Sequence, residues 1–358
     1  MRVLFVVLAL AVSAGCYAPK PKPGSPCDDD HPCPTPLFCT LGTCERSEVV
    51  PEPDASPIDD APVGCVPTGF DICGDGIDQD CDGADPACVA NDLPAGAIDI
   101  TAGGTFTADL MLARDNLASK ACGNDGGNEV FYEITLTSPQ VYYLDTFTSG
   151  FDTSLRVFRG MTCAAVTSAM APQQCNDDAC GTGESQLAAA LPVGTSCVVV
   201  DKNYNNGKDP TKGVFQLHVV PGGRTGTRLL SGITTQTGDT CGSTNVSEPT
   251  KCGKGNAKDL GYFFTVCPGQ TAQLDASTCS DPTATHFDTE LYVHPVGAPD
   301  LICVDDSNTC VARPDRSDGQ PDGSILTGVP VRGPGLFWLV VDGFDTACGA
   351  YQLDTNLR

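Results

Sequence analysis

Basic residues, histidine and tryptophan are the scarce elements of this 358-residue chain. It holds 20 Lys plus Arg against 45 Asp plus Glu, a formal charge of -25. A phosphate backbone would be repelled, so nucleic acid is excluded as a partner. Four histidines (His31, His218, His286 and His294) leave little material for acid-base chemistry or imidazole-bound metals. No His-Glu-x-x-His, Gly-x-Ser-x-Gly, phosphate-cradling glycine loop or dinucleotide fingerprint occurs, so no catalytic residue is assigned. The many carboxylates could form a glycosidase pair, but their abundance alone is no sign of one. What the chain does hold is 39 glycines, 28 prolines and 21 cysteines, a composition of short strands, turns and bridges rather than helices.

Arg2 precedes the apolar run Val3–Val12, about the length of a signal-peptide core and too short to span a bilayer. Ser13-Ala14-Gly15-Cys16 then resembles the lipobox of bacterial lipoproteins, which implies a signal peptide over 1–15 and diacylation of Cys16. Simple cleavage near Ala14 or Gly15 is the alternative, giving a secreted protein. Removing Cys16 leaves 20 cysteines, enough for ten disulfides, and Tyr17 replaces the Asp that retains such lipoproteins in the inner membrane. Expected localisation is the outer membrane or cell surface, with the membrane reached through the lipid. Residues 16–26 form the anchor and a proline-rich spacer.

Residues 27–46 carry Cys27, Cys33, Cys39 and Cys44 within a short stretch, read as a small disulfide-rich module, with His31 a solvated loop residue. Residues 47–64 form an acidic, proline-rich linker. Residues 65–90 hold Cys65, Cys73, Cys81 and Cys88 around Asp75, Asp78, Asp80, Asp82 and Asp85. Asp78, Asp80 and Asp82 alternate and Gly83 follows, the spacing with which an EF-hand loop opens, although the twelfth position is Val89 rather than Glu. The stretch resembles the Cys/Asp-rich metal-binding motif of bacterial surface proteins and, more distantly, thrombospondin type 3 repeats. That resemblance implies Ca2+ as cofactor, with these five aspartates as ligands; an acidic disulfide loop without an ion is the alternative.

Residues 91–221 and 222–358 repeat one another. Phe151-Asp152-Thr153-Ser154-Leu155 returns as Phe287-Asp288-Thr289-Glu290-Leu291, and Cys175-Asn176-Asp177-Asp178 as Cys303-Val304-Asp305-Asp306. Ser185 answers to Ser324, Val199-Val200-Asp201 to Val340-Val341-Asp342, and Gly213-Val214-Phe215-Gln216-Leu217 to Gly349-Ala350-Tyr351-Gln352-Leu353. A repeat of this length implies one fold used twice. Alternation in Val130–Leu136 and Phe287–His294 predicts strands with one buried face, placing His218 and His294 on polar faces. The apolar runs Cys197–Val200 and Leu336–Val341 predict central strands, with Trp338 in the core. The fold class is therefore all-β: two tandem jelly-roll-like antiparallel β-sandwiches preceded by small disulfide-rich modules. These anchors in this order resemble the bacterial pre-peptidase C-terminal domain. The resemblance implies an eight-stranded jelly roll, an appendage of secreted proteases and surface proteins that in some members binds calcium or aids substrate attachment.

The matched acids Asp152, Asp177, Asp178 and Asp201, with Asp288, Asp305, Asp306 and Asp342, serve either as a second kind of calcium site or as hydrogen-bonding turn residues, turns being favoured. Cys122, Cys163, Cys175, Cys180 and Cys197 lie in the first repeat and Cys241, Cys252, Cys267, Cys279, Cys303, Cys310 and Cys348 in the second. All are disulfide candidates rather than nucleophiles. Five and seven are odd numbers, so at least one bridge must leave each repeat. Cys88 with Cys122, paralleling Cys241 with Cys252, is one guess. Tyr142, Tyr143, Tyr204 and Tyr292 keep open a sugar-stacking surface. The expected function is a non-catalytic, lipid-anchored surface protein presenting two recognition domains to an unidentified extracellular protein or glycan. The alternatives are a carbohydrate- or protein-binding adhesion module, and a secreted hydrolase or protease-associated accessory.

Overall fold

The computed structural model describes residues 37–40 and 43–46, and residues 65–358 apart from 118–121, 123–126, 204–212, 248, 253–255, 282–283 and 311–322. The expectations for the signal peptide, Cys16, Cys27, His31, Cys33, the acidic linker and Tyr204 lie outside the described residues.

Two compact units are present. The first comprises residues 1–66 and 81–83. Its described part contains an antiparallel hairpin, β1 (Leu37–Thr40) with β2 (Thr43–Arg46), in which the Cys39 and Cys44 backbones lie directly opposite. A disulfide joins Cys65 to Cys81.

The second unit comprises residues 67–80 and 84–358. Beyond the loop tied by Cys73–Cys88, its strands form two sandwiches. The first is built from β3 (Ile98–Asp99), β4 (Gly104–Asp109), β5 (Glu129–Leu136), β6 (Gln140–Asp145), β7 (Thr153–Phe158), β8 (Gln174–Asn176), β9 (Gln186–Leu191), β10 (Gly194–Lys202) and β11 (Val214–Pro221). The second uses β12 (Thr227–Arg228), β13 (Gly232–Asp239), β14 (Leu260–Val266), β15 (Thr271–Ser277), β16 (Thr289–Pro295), β17 (Ile302–Asp305), β18 (Ile325–Arg332), β19 (Gly335–Gly343) and β20 (Ala350–Leu357).

Sheet order in the first sandwich is β3-β5-β10-β7-β8 facing β4-β11-β6-β9, and in the second β12-β14-β19-β16-β17 facing β13-β20-β15-β18. Strand for strand the topologies are identical. Among the described residues each sandwich therefore has nine strands rather than eight, and the extra short edge strand pairs in parallel, β3 with β5 and β12 with β14. No α-helix occurs among the described residues, only short 3-10 turns. Local capping repeats too: the Asp109 carboxylate accepts from Met111 N–H, and that of Asp239 from Cys241 N–H.

Each sandwich buries its own apolar layer, with Tyr132, Leu155, Val198 and Phe215 in one and Phe264, Leu291, Leu339 and Leu353 in the other. The expectation of one buried face per strand is corrected. Every residue of β7 is buried, and β16 stays buried from Thr289 through Val293, because the outward faces are also covered. On the first sandwich Phe131, Phe158 and Val199 pack with Leu117, Cys163 and Val166. On the second, Phe263, Tyr292, Leu336, Trp338 and Val340 pack against Val141, Tyr143 and Ala188 of the first. Trp338, fully buried, thus belongs to the core between the sandwiches. Arg224 lies over its ring, 5.5 Å from the centroid, and pairs with Asp259.

Eight disulfides occur among the described residues, and their pairing corrects the guess above. Cys88 binds Cys73, Cys122 binds Cys175, Cys241 binds Cys348 and Cys252 binds Cys303. The two matching bridges are Cys122–Cys175 and Cys252–Cys303, each tying a preceding loop to the strand that leads into an acidic pair. Cys163–Cys197 and Cys279–Cys310 lie within one sandwich each. Cys180–Cys267 joins the sandwiches, as the odd counts required.

Candidate metal centres

Three groups of carboxylates gather in the second unit. In each sandwich the strand after the Phe-Asp-Thr turn (β7, β16) pairs with the short edge strand that leads into the acidic pair (β8, β17). That pairing brings Asp152, Asp177 and Asp178 together at one corner and Asp288, Asp305 and Asp306 at the matching one, with carboxylate oxygens within 4.8 Å of one another. The remaining two predicted acids do not join them. Asp201 forms a buried ion pair with Arg156, and Asp342 receives the Tyr292 hydroxyl at 3.4 Å and the Gly343 N–H at 2.8 Å.

A buried hydroxyl cluster holds each corner. Thr146 Oγ1 meets Thr153 Oγ1 at 2.5 Å, the Ser185 N–H donates to Thr146 Oγ1 at 2.9 Å, and the Ser185 hydroxyl donates to the Thr153 carbonyl at 2.5 Å. The second copy repeats this with Thr278, Thr289 and Ser324 at 2.7, 2.9 and 2.5 Å. Ser185 and Ser324 are thus structural: they pin the loop returning from the acidic strand to the start of β7 or β16.

The corners differ in charge. In the first, Asn203 Nδ2 donates to both Asp177 carboxylate oxygens at 2.8 Å, and the Arg156 guanidinium stands close enough to favour the ionised Asp177. Burial nonetheless pushes Asp177 up to about 6. In the second, Tyr292 stands where Arg156 would be and Glu290 where Ser154 would be. Glu290 is fully buried, opposite Asp305 on one side and Asp342 on the other. Burial, then the charges of Asp305, Asp342 and Asp288, push its carboxyl up to about 8. Burial also raises Asp305, and takes Asp342 to about 6. Arg156, Asn203 and Glu290 escaped the sequence reading as site residues, and Tyr292 entered it only as a sugar-stacking candidate. The signal was the exchange of Ser154 for Glu290 inside an otherwise matching Phe-Asp-Thr-x-Leu strand.

The third group lies in the loop before the first sandwich. Asp78 and Asp80 come together as predicted, but their companion in the second unit is Asp71, which the alternating pattern did not include. Asp75 and Asp85 serve the turn instead. Asp85 accepts from Gly74 and Gly76 N–H at 2.8 and 2.6 Å, while Asp75 accepts from Ile77 N–H at 2.8 Å and Gln79 Nε2 at 2.7 Å. Asp71 itself accepts from Gln79 and Asp80 N–H at 2.7 and 3.0 Å. Asp82 belongs to the first unit, beside Gly83, whose φ of 95° is the left-handed turn expected of it.

Candidates for other chemistry fare differently. His218 Nδ1 pairs with Asp145 at 2.8 Å, and His294 stacks on Tyr292, its Nδ1 near the Pro295 carbonyl, with burial holding it below the usual imidazole range. Neither is the freely solvated residue the alternation suggested. Tyr142, Tyr143 and Tyr292 are buried and offer no sugar-stacking face. Cys163, Cys175, Cys180 and Cys197 are all oxidised.

No protein-family model and no curated protein matches the chain. Among solved structures, the pre-peptidase C-terminal domain of a collagenase from Bacillus anthracis is 13% identical over 37% of this chain and 94% of its own, at a TM-score of 0.21. The CUB1-EGF-CUB2 region of human MASP-1/3 is 9% identical over 71% of this chain and 99% of its own, at 0.17. A fucolectin from striped bass (Morone saxatilis) serum is 9% identical over 71% of this chain and 96% of its own, at 0.18. The all-β sandwich architecture rests on the strand pairing itself, not on these overlays.

Proposed function

We propose that this chain is a non-catalytic, exported recognition protein, attached to the outer membrane or cell surface through a lipid on Cys16. The observation that carries this reading is the rigid union of the two sandwiches, by the Cys180–Cys267 bridge and the buried layer around Trp338. Such a body presents its surfaces from one bridged frame. Among the described residues sixteen cysteines are bridged, an arrangement that persists in an oxidising compartment and is rare in the cytosol. Of the five others, Cys27, Cys33, Cys39 and Cys44 make an even set, and Cys16 is the odd one. With Tyr142, Tyr143, Tyr292 and Trp338 buried, a protein partner suits the surface better than a glycan. Asp71, Asp78 and Asp80 would hold Ca2+ as a stabiliser of the small loop, whose core is otherwise little more than its disulfides.

Intact mass of the mature protein tests export and anchoring: a diacylglyceryl adduct on Cys16 with no titratable thiol is expected, and free thiols would defeat the reading. Binding to a library of extracellular proteins, beside a glycan array, tests recognition. Turnover of peptide, ester or glycoside substrates would remove the non-catalytic part.

A further inference from the structure

A sheet edge offers N–H and C=O groups to any extended chain, and native proteins blunt such edges with short strands, prolines or bulges. Most edges of the two sandwiches follow that rule. β3, β12, β8 and β17 run two to four residues, and β18 carries Pro330 and a register shift against β15. The exception is β13. Its eight residues, Gly-Ile-Thr-Thr-Gln-Thr-Gly-Asp, contain no proline and no charge before Asp239, and they pair with β20 without a shift. Among the described residues it is the longest edge strand without a proline; the matching β4 has six residues. The register fixes which groups this edge offers. Thr240 N–H donates to the Gly349 carbonyl at 3.0 Å, so the even-numbered residues of β13 face β20. Ile233, Thr235 and Thr237 therefore direct their N–H and C=O groups to the open side, at intervals of about 6.8 Å. All three are exposed, Ile233 by 83%. Their side chains stand on the outer face of the sheet, where Thr235 lies opposite Asp354 and donates to its carboxylate at 2.5 Å. Gln352 donates to the same carboxylate at 3.2 Å. Both donors are neutral and leave the charge in place. On that face Arg358 is tied to Asp275 at 2.6 Å, and Lys258 lies past the strand end on the Cys241 carbonyl. Beside Ile233 the face forms a shallow groove of about 500 Å3, with Ile325, Asp354 and Asn356 on its walls.

We propose that the β13 edge binds an extended, basic polypeptide segment by strand addition, an inference that rests on the protein-recognition reading above and gives the partner its chemistry. An extended backbone presents alternating donors and acceptors at the spacing of Ile233, Thr235 and Thr237, so the bound segment becomes a fifth strand of the β13-β20-β15-β18 sheet. Neighbouring strands lie about 4.8 Å apart, which puts a lysine on the outer row of that strand about 10 Å from the Asp354 backbone, a gap its side chain and the carboxylate span together. The groove beside Ile233 receives the next side chain of the same row. Charge selects the partner: a chain of formal charge -25 attracts a basic segment and repels both an acidic one and a second copy of itself. The same face already serves for docking in the first copy, where Val141, Tyr143 and Ala188 pack against Phe263, Tyr292 and Trp338 of the second sandwich. In the second copy that face and its β13 edge are open to a partner.

The test is fluorescence anisotropy of labelled eight-residue peptides titrated with the full-length protein. The probe alternates lysine and valine; one control replaces each lysine by glutamate, and another replaces each valine by proline. The lysine-valine peptide is expected to bind and the controls are not. Thr237→Pro removes an N–H that β20 does not use, and should weaken binding by about tenfold. Thr237→Lys leaves the backbone intact and should also weaken binding, by repelling the lysine row; Asp354→Asn should weaken it about threefold. In amide exchange followed by NMR, the bound peptide should protect Ile233, Thr235 and Thr237 and leave Thr234 and Gln236 as they were. Equal binding of the lysine and glutamate peptides, full binding by both Thr237 variants, no new protection at the three amides, or no binding by the wild type would overturn the assignment. So would a wild-type dimer that Thr237→Pro dissociates, because a second copy would then hold the edge. An extracellular protein bound equally by wild type and both Thr237 variants overturns the edge and leaves recognition standing. Turnover of a substrate overturns the non-catalytic reading and leaves these titrations unchanged.

Discussion

The two sandwiches share strand order, edge-strand direction, hydroxyl cluster and one loop-to-strand bridge, yet they treat the outer face of their larger sheet in opposite ways. In the first, that face carries Arg156, Asp201 and Glu129 beneath its own loops, and the charge is balanced inside the chain. In the second, it carries Tyr292, Trp338 and Glu290, and the apolar part is covered by the first sandwich. Duplication preserved what builds the fold and released what sits on its surface. A face that acquires a neighbour can give up its arginine and become apolar.

The largest expected effect comes from breaking the internal cation. Arg156→Leu strands Asp201 and Glu129 in the interior and should cost about 3–5 kcal/mol, measured by denaturant unfolding, whereas Tyr292→Phe in the other copy should cost about 1 kcal/mol. Equal losses would erase the distinction between the two faces. Next is the union of the copies: Cys180→Ser with Cys267→Ser should lower stability by about 2–4 kcal/mol and uncouple two unfolding transitions in calorimetry. One unchanged transition would mean that the Trp338 layer alone suffices.

The hydroxyl clusters probe the shared part. Ser185→Ala and Ser324→Ala should each cost about 1–3 kcal/mol, and by similar amounts, because both leave a buried loop without its tie. A large inequality in thermal unfolding would show that the clusters do different work. The gentlest effect is on pH. Glu290, pushed up to about 8 from an ordinary value of 4.5, stays protonated in the fold where the unfolded chain has ionised. Its contribution therefore erodes as pH rises from about 4.5 to about 8, by at most about 1.4 kcal/mol per pH unit. Glu129, raised to about 8 by burial, gives a slope of the same sign in the first copy. Glu290→Gln should flatten only the part due to Glu290, read from unfolding free energies across that range.

The repeat was legible because its anchors are turn and core residues, whose identities are dictated by local geometry: Phe-Asp-Thr at a strand entry, Gly213 and Gly349 before the last strands. Central strands were legible in the continuous apolar runs that became β10 and β19. In the small loop, spacing alone pointed to five aspartates, but backbone N–H groups claimed Asp75 and Asp85, and Asp71 arrived from outside the pattern. Spacing says which side chains are near along the chain; it does not say which carboxylates the folded backbone needs for itself.

Composition and periodicity by themselves determined that this chain makes disulfide-bridged β-sandwiches, since strand alternation and cysteine parity are local or countable properties. Only the tertiary structure decided which cysteines pair, which outer faces are covered, and which acidic corner Arg156 stands beside. Those outcomes depend on groups far apart in sequence, Arg156 with Asp201 or Tyr143 with Trp338, whose meeting no local pattern encodes.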